Sequence, residues 1–107
     1  MNKSPYLYIA DLVSEADIPA EGILTRSLLD NEQVKVILFC FDVGQELSEH
    51  TASMPALLHI LEGDASLTLG DEAQSAQAGT WLHMTAHLPH SVLANTPLRM
   101  LLYLLKS

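Results

Sequence analysis

The chain has 107 residues, of which 49% are hydrophobic, enough for one domain with a core of its own. Five Lys and Arg stand against thirteen Asp and Glu, and the resulting formal charge of −8 repels a phosphate backbone and argues against nucleic-acid partners. A single cysteine, Cys40, excludes an internal disulfide framework, and no apolar stretch is long enough to span a bilayer.

The opening residues, Met1-Asn2-Lys3-Ser4-Pro5, lack the apolar stretch of a secretory signal, so a cytoplasmic protein is expected. Within 9–21, Asp11-Leu12-Val13-Ser14-Glu15-Ala16 is compatible with one helical turn, but Pro19 and Gly22 stop anything longer. Turn signals then recur at Asp30-Asn31-Glu32, Asp42-Val43-Gly44, Glu62-Gly63-Asp64, Leu69-Gly70-Asp71 and Asn95-Thr96-Pro97. The runs between them are short and rich in Val, Ile, Leu and Phe, the pattern of an all-β sandwich or barrel. Strands are predicted at 23–29, 34–42, 57–61, 65–69, 74–77, 81–84, 91–94 and 99–106, with another leading into His50. The two runs around Glu62-Gly63-Asp64 read as a hairpin. Cys40 falls inside the apolar run Val36-Ile37-Leu38-Phe39-Cys40-Phe41 and reads as a small buried hydrophobe. The last run, Met100-Leu101-Leu102-Tyr103-Leu104-Leu105, is apolar on both faces. Its outer face needs a cover, and a homodimer partner is the expected one.

Two blocks carry the chemistry. The first is Gly44-x5-His50 closing at Gly63; the second is Gly79-x5-Thr85-x-His87-x2-His90. Each places a histidine at the end of a glycine-led strand, and two such histidines can converge inside a small barrel.

These blocks resemble the two motifs of the cupin superfamily in its small, single-domain, type-2 form. The first family motif runs Gly, five residues, His, one, His, three or four, Glu, six, Gly. Gly44, His50 and Gly63 fall on it. The second runs Gly, five, Pro, one, Gly, two, His, three, Asn, and Gly79 and His90 fall on it. The resemblance implies a double-stranded β-helix (a jelly-roll barrel) in one domain over 1–107, with the barrel core at about 34–106. It also implies a divalent metal (Fe, Mn, Ni or Zn) in the barrel and a dimer as the assembly.

The departures bear on function. Ala52 stands in the slot of the second ligand histidine and Ala56 in that of the ligand glutamate, so His50 and His90 remain of four ligands. Thr85, His87 and Ala94 replace the proline, glycine and asparagine of the second motif. Candidate substitutes for the missing ligands are His59, His83 and Glu46. Strand alternation turns His59 away from Ala56 unless a bulge intervenes, and His83 is expected as its cross-strand neighbour outside the barrel. Glu46 shares its parity with His50 and is expected to face the pocket; Glu49 is expected to face away. Met54, in the loop joining the halves of the first block, is a candidate for the pocket mouth, with Ala52 and Ala56 as its apolar wall. His87 is expected in a turn at positive φ, and Trp81 in the core or an interface.

Three readings follow. One is a metal-dependent enzyme acting on a small molecule, by oxygenation or isomerisation. The second is a metal-free pocket, enlarged by the two alanines, that binds a small ligand as sensor, carrier or cofactor-independent enzyme. The third is a structural or regulatory barrel without a live site. The scattered basic residues Lys3, Arg26, Lys35, Arg99 and Lys106 form no patch.

Overall fold

Turn residues cut the described chain into nine strands, and the alternation within each decides which side is buried. The computed structural model describes residues 4–107; Lys3 and the start of the N-terminal segment lie outside the described residues. The strands are β1 (Ile23–Asp30), β2 (Val34–Phe41), β3 (Glu46–His50), β4 (Ala56–Glu62), β5 (Asp64–Leu69), β6 (Glu72–Gln77), β7 (Trp81–Met84), β8 (His90–Ala94) and β9 (Leu98–Leu105). They form two antiparallel sheets, five-stranded β1-β2-β9-β4-β7 and four-stranded β3-β8-β5-β6. The described chain is all-β, and none of its segments is a helix long and apolar enough to cross a membrane. The segment Asp11 to Ala16 closes one turn through the Glu15 N–H donating to Leu12 O, at 3.2 Å, and goes no further.

The inner faces meet in one core. Phe39 and Phe41 of β2, Ala56, Leu58 and Ile60 of β4, Leu67 of β5, Val92 and Ala94 of β8, and Leu98 and Met100 of β9 are all buried there. Alternate residues turn inward, Ala56, Leu58 and Ile60 along β4 and Leu98 and Met100 along β9. Backbone bonds at the strand ends extend the ladders of the four-stranded sheet, Gly44 N–H to Ala94 O and Gly70 N–H to Pro89 O, both at 2.8 Å, and the His87 N–H donates to Ala52 O between two loops at 2.7 Å. At Gly63 the chain needs glycine twice over. Its φ is +92°, and a Cβ there would lie 2.1 Å from Pro97 O.

A second, smaller cluster lies on the outer face of the five-stranded sheet. Val36, Leu38, Cys40 and Leu101 are buried there beneath Leu12, Ala16 and Ile18 of the N-terminal segment. At Leu101 the two-faced C-terminal run is covered by this chain's own N-terminal segment. Arg99 pins the cover: its Nε and Nη2 donate to Ala16 O at 3.2 and 3.0 Å while Nη1 pairs with Glu62. Burial pushes the Cys40 thiol above its usual pKa, in keeping with a packing role.

Candidate histidine site at the barrel rim

His50 ends β3 and His90 begins β8, and the two are Cα partners in the ladder. His90 is also the partner of Leu69 in β5. Val92 and Ala94, two and four residues on, are core residues, so alternation turns His90 inward; it is 7% exposed. His50 is directly opposite and points to the same face, but stands in the open. The ring centroids are 4.2 Å apart at an interplanar angle of 58°. The pair spans the rim of the barrel, with one ring in the wall and one at its edge.

Both rings are held alike. His50 Nδ1 lies 2.9 Å from Ser48 O, and His90 Nδ1 lies 2.8 Å from Leu88 O. A carbonyl only accepts, so each Nδ1 carries the hydrogen and donates it. In the neutral ring, Nε2 is then the lone-pair nitrogen. The site thus presents two Nε2 acceptors from two strands, each ring fixed by a carbonyl two residues upstream.

A bulge builds this geometry. The β3–β8 register shifts between Leu47 and His50. Leu47 packs against the core opposite Val92, so Glu46, its neighbour opposite Leu93, lies on the outer face and is exposed. The parity argument that put Glu46 in the pocket fails here, because the extra residue of the bulge resets alternation before His50. Glu49 is exposed as well.

The other candidates separate cleanly. Ala56 is 3% exposed in the core, with Met84 and Leu104 as its ladder partners. Ala52 and Met54 are half-buried in the loop between β3 and β4, where Ala52 O accepts from the His87 N–H. His87 sits in a turn at φ +68°. His59 and His83 do not supply further ligands inside the barrel. Their strand neighbours Leu58, Ile60, Leu82 and Met84 are the inward residues. His59 is opposite Trp81 and His83 opposite Leu57, so the two histidines are diagonal neighbours on the outer face. Trp81 shares that face and is largely exposed, not core. Among the described residues, no group of three or more His, Cys, Asp or Glu is arranged to hold a metal.

Two clefts lie away from this pair. A polar groove of about 440 Å³ runs past Asp64, Ser75, Gln77 and Asn95 on the four-stranded sheet. One of about 230 Å³ is lined by Leu67, Leu69, Gln74, Trp81 and Leu82.

The same two-sheet arrangement recurs in solved structures. A protein of unknown function from Streptococcus pyogenes superposes with a TM-score of 0.86 at 29% identity, covering 99% of this chain and 93% of that one. A cupin superfamily protein from Desulfitobacterium hafniense gives 0.87 at 25% identity, with coverages of 96% and 94%. The chain has the cupin fold, a double-stranded β-helix. An RmlC-like cupin from Desulfovibrio desulfuricans, at 23% identity and a TM-score of 0.83 over 94% of this chain and 97% of that one, shares the fold. No protein-family model and no curated protein matches the sequence. This chain keeps the barrel and two of the histidine positions while its motifs depart at Ala52, Ala56, Thr85, His87 and Ala94.

Proposed function

We propose that this protein binds a small molecule at the His50/His90 pair. One observation carries the reading: two facing imidazoles from separate strands, each with Nδ1 committed to a backbone carbonyl, leave two Nε2 lone pairs free at the rim. Side chains fixed this way are pre-organised for a ligand. The matching group is a donor, such as an ammonium or a pair of hydroxyls. A self-contained site for Fe, Mn, Ni or Zn does not fit these residues, because the alanines at 52 and 56 bring no donor atom and two imidazoles fall short of the three or four protein ligands such ions take.

The test is titration with panels of small amines, polyols and carboxylates, followed by imidazole ¹⁵N shifts. Saturable shifts at His50 and His90 that vanish in His90→Ala support the reading. No response from any panel, with both rings visible, contradicts it.

A second reading is favoured by the ring orientation itself. Metal-ligating histidines donate their other nitrogen to a carbonyl or carboxylate, as both rings do here. On this reading a divalent ion enters only with a chelating small molecule that supplies the missing ligands. Zinc added alone then binds weakly, and zinc with a dicarboxylate binds tightly.

A further inference from the structure

The outer face of the four-stranded sheet carries a row of polar side chains along the β5–β6 ladder. Ala65 and Ala76 are ladder partners turned into the core, so the pairs on either side of them, Asp64 with Gln77 and Ser66 with Ser75, turn outward. Asn95, just past β8, joins the row: its N–H donates to Asp64 O and its Nδ2 to Ser66 Oγ, both at 2.9 Å. The backbones that present these groups are fixed. The Asp64 N–H donates to Thr96 Oγ1 at 2.9 Å. The Gln77 N–H donates to Thr80 Oγ1 at 3.0 Å, and Gln77 O accepts from the Thr80 N–H at 2.9 Å. The side chains of Asp64, Ser75 and Gln77 stand exposed in the polar groove of about 440 Å³, a volume within the ~300–1,000 Å³ of small-molecule sites.

The groove continues past the polar row. Ser75 and Thr80 also line the cleft of about 230 Å³ that holds Leu67, Leu69, Gln74, Trp81 and Leu82, so the two run together along β6. One end offers amides, hydroxyls and a carboxylate; the other offers leucines and a tryptophan that is 60% exposed. Charge narrows the occupant. No Lys or Arg lines either cleft, and Asp64 sits in the polar one, so a phosphate or carboxylate ligand meets repulsion and no counter-charge. A carboxamide offers donor and acceptor together and a carboxylate accepts two hydrogens, which complements neighbouring hydroxyl groups. The apolar C–H face of a pyranose ring matches the open ring of Trp81.

We propose that this trough is a second binding site, for a neutral saccharide, with sugar hydroxyls on Asp64, Gln77 and Asn95 and a ring face on Trp81. Neither His50 nor His90 lines it, and its polar row faces the side of the sheet opposite to the two rings. The site is therefore independent of the His50/His90 pair.

Trp81 is the only tryptophan in the chain, so its fluorescence reads occupancy directly. Maltose, cellobiose, lactose and trehalose are titrated into the full chain, and the 6-phosphate of whichever disaccharide binds serves as its charged counterpart. The expected result is a saturable change with a Kd of about 1 mM or tighter for at least one disaccharide, and binding of its 6-phosphate at least ~fivefold weaker. By calorimetry, Gln77→Ala is expected to weaken binding about threefold or more and Trp81→Ala about fivefold or more, each with an unchanged circular dichroism spectrum. Trp81→Phe keeps an aromatic face and is expected to stay within about threefold of the wild type. His90→Ala is expected to keep the wild-type affinity, which separates this site from the one at the rim. No saturable change with any of the four disaccharides overturns the proposal. So does equal binding of the 6-phosphate, an affinity that Gln77→Ala and Trp81→Ala leave unchanged, or binding that is lost in His90→Ala.

Discussion

His50 and His90 face one another across the β3–β8 ladder at a centroid separation of 4.2 Å, and each ring is tethered by its Nδ1 to the carbonyl two residues before it. The tethers are equivalent but the surroundings are not. His90 is buried in the wall and His50 stands at the edge. Removing the two rings should therefore cost different amounts. His90→Ala takes away a buried ring and leaves Leu88 O without its donor, which costs about 2–3 kcal/mol. His50→Ala removes an exposed ring whose carbonyl is met by water, and costs less than about 1 kcal/mol. Urea unfolding of the two variants measures the difference, and equal losses would contradict the assignment of wall and edge.

Restoring the missing donors tests why this barrel does not fit a metal of its own. The double substitution Ala52→His with Ala56→Glu supplies the two family ligands at their family positions. Ala56 is buried among apolar neighbours, so the new carboxylate is unfavourable in the metal-free state and the variant should lose about 2–4 kcal/mol. Zinc or manganese at a hundred times its dissociation constant should return about 2.7 kcal/mol of that. Calorimetric titration of variant and wild type checks the affinity, with the variant expected to bind at least ~100-fold more tightly. Equal affinities would show that some other group already completes the site.

Two glycines at nearly the same φ separate strain from clash. Gly63 and Gly79 have φ of +92° and +95°. A Cβ at 79 meets open space, and one at 63 meets Pro97 O at 2.1 Å. Gly79→Ala is expected to cost about 1–2 kcal/mol, the strain alone. Gly63→Ala must also move backbone and is expected to lose about 4 kcal/mol or more. Thermal unfolding orders the two, and a similar loss in both would mean that the Gly63 turn yields.

The strand framework was legible because apolar alternation and Gly/Asp/Asn turns agree along the whole chain. The predicted 23–29, 57–61 and 65–69 became Ile23–Asp30, Ala56–Glu62 and Asp64–Leu69, differing only at the ends. The spacing of Gly44, His50, Gly79 and His90 located the two rings that meet. The bulge before His50 was not legible, since Leu47-Ser48-Glu49 carries no glycine or turn residue to mark an extra residue, and that is why Glu46 was placed on the wrong face. Nor was Arg99. It reads as one scattered cation in sequence, but folding brings Glu62 and Ala16 O to it from 37 and 83 residues away. The Nδ1 tethers depend on side-chain torsions that no spacing encodes.

Cys40 reports on the Arg99 anchor. The thiol is buried beneath the N-terminal segment, its Sγ 3.8 Å from Ala16 O, and burial raises its pKa. At any pH near neutrality less of it is thiolate than in a free cysteine, so it should react slowly with a thiol-directed reagent. Arg99→Met removes both bonds to Ala16 O and leaves the segment held by its apolar contacts and by Arg26 on Glu15. The variant is expected to lose about 1–3 kcal/mol and to label at Cys40 at least ~10-fold faster, matching an opening free energy lowered by about 1.4 kcal/mol or more. Unchanged labelling would show that Leu12, Ala16 and Ile18 hold the cover without the arginine.

The tautomeric state of the two facing rings tests the central claim most directly. A long-range ¹H–¹⁵N correlation spectrum of the imidazoles, taken at a pH where both are neutral, distinguishes Nδ1–H from Nε2–H. The expected pattern is Nδ1–H for His50 and His90 together, leaving two adjacent Nε2 lone pairs for a ligand. An Nε2–H pattern at either ring would contradict the account, because that nitrogen would then be a donor and the paired acceptor site would not exist.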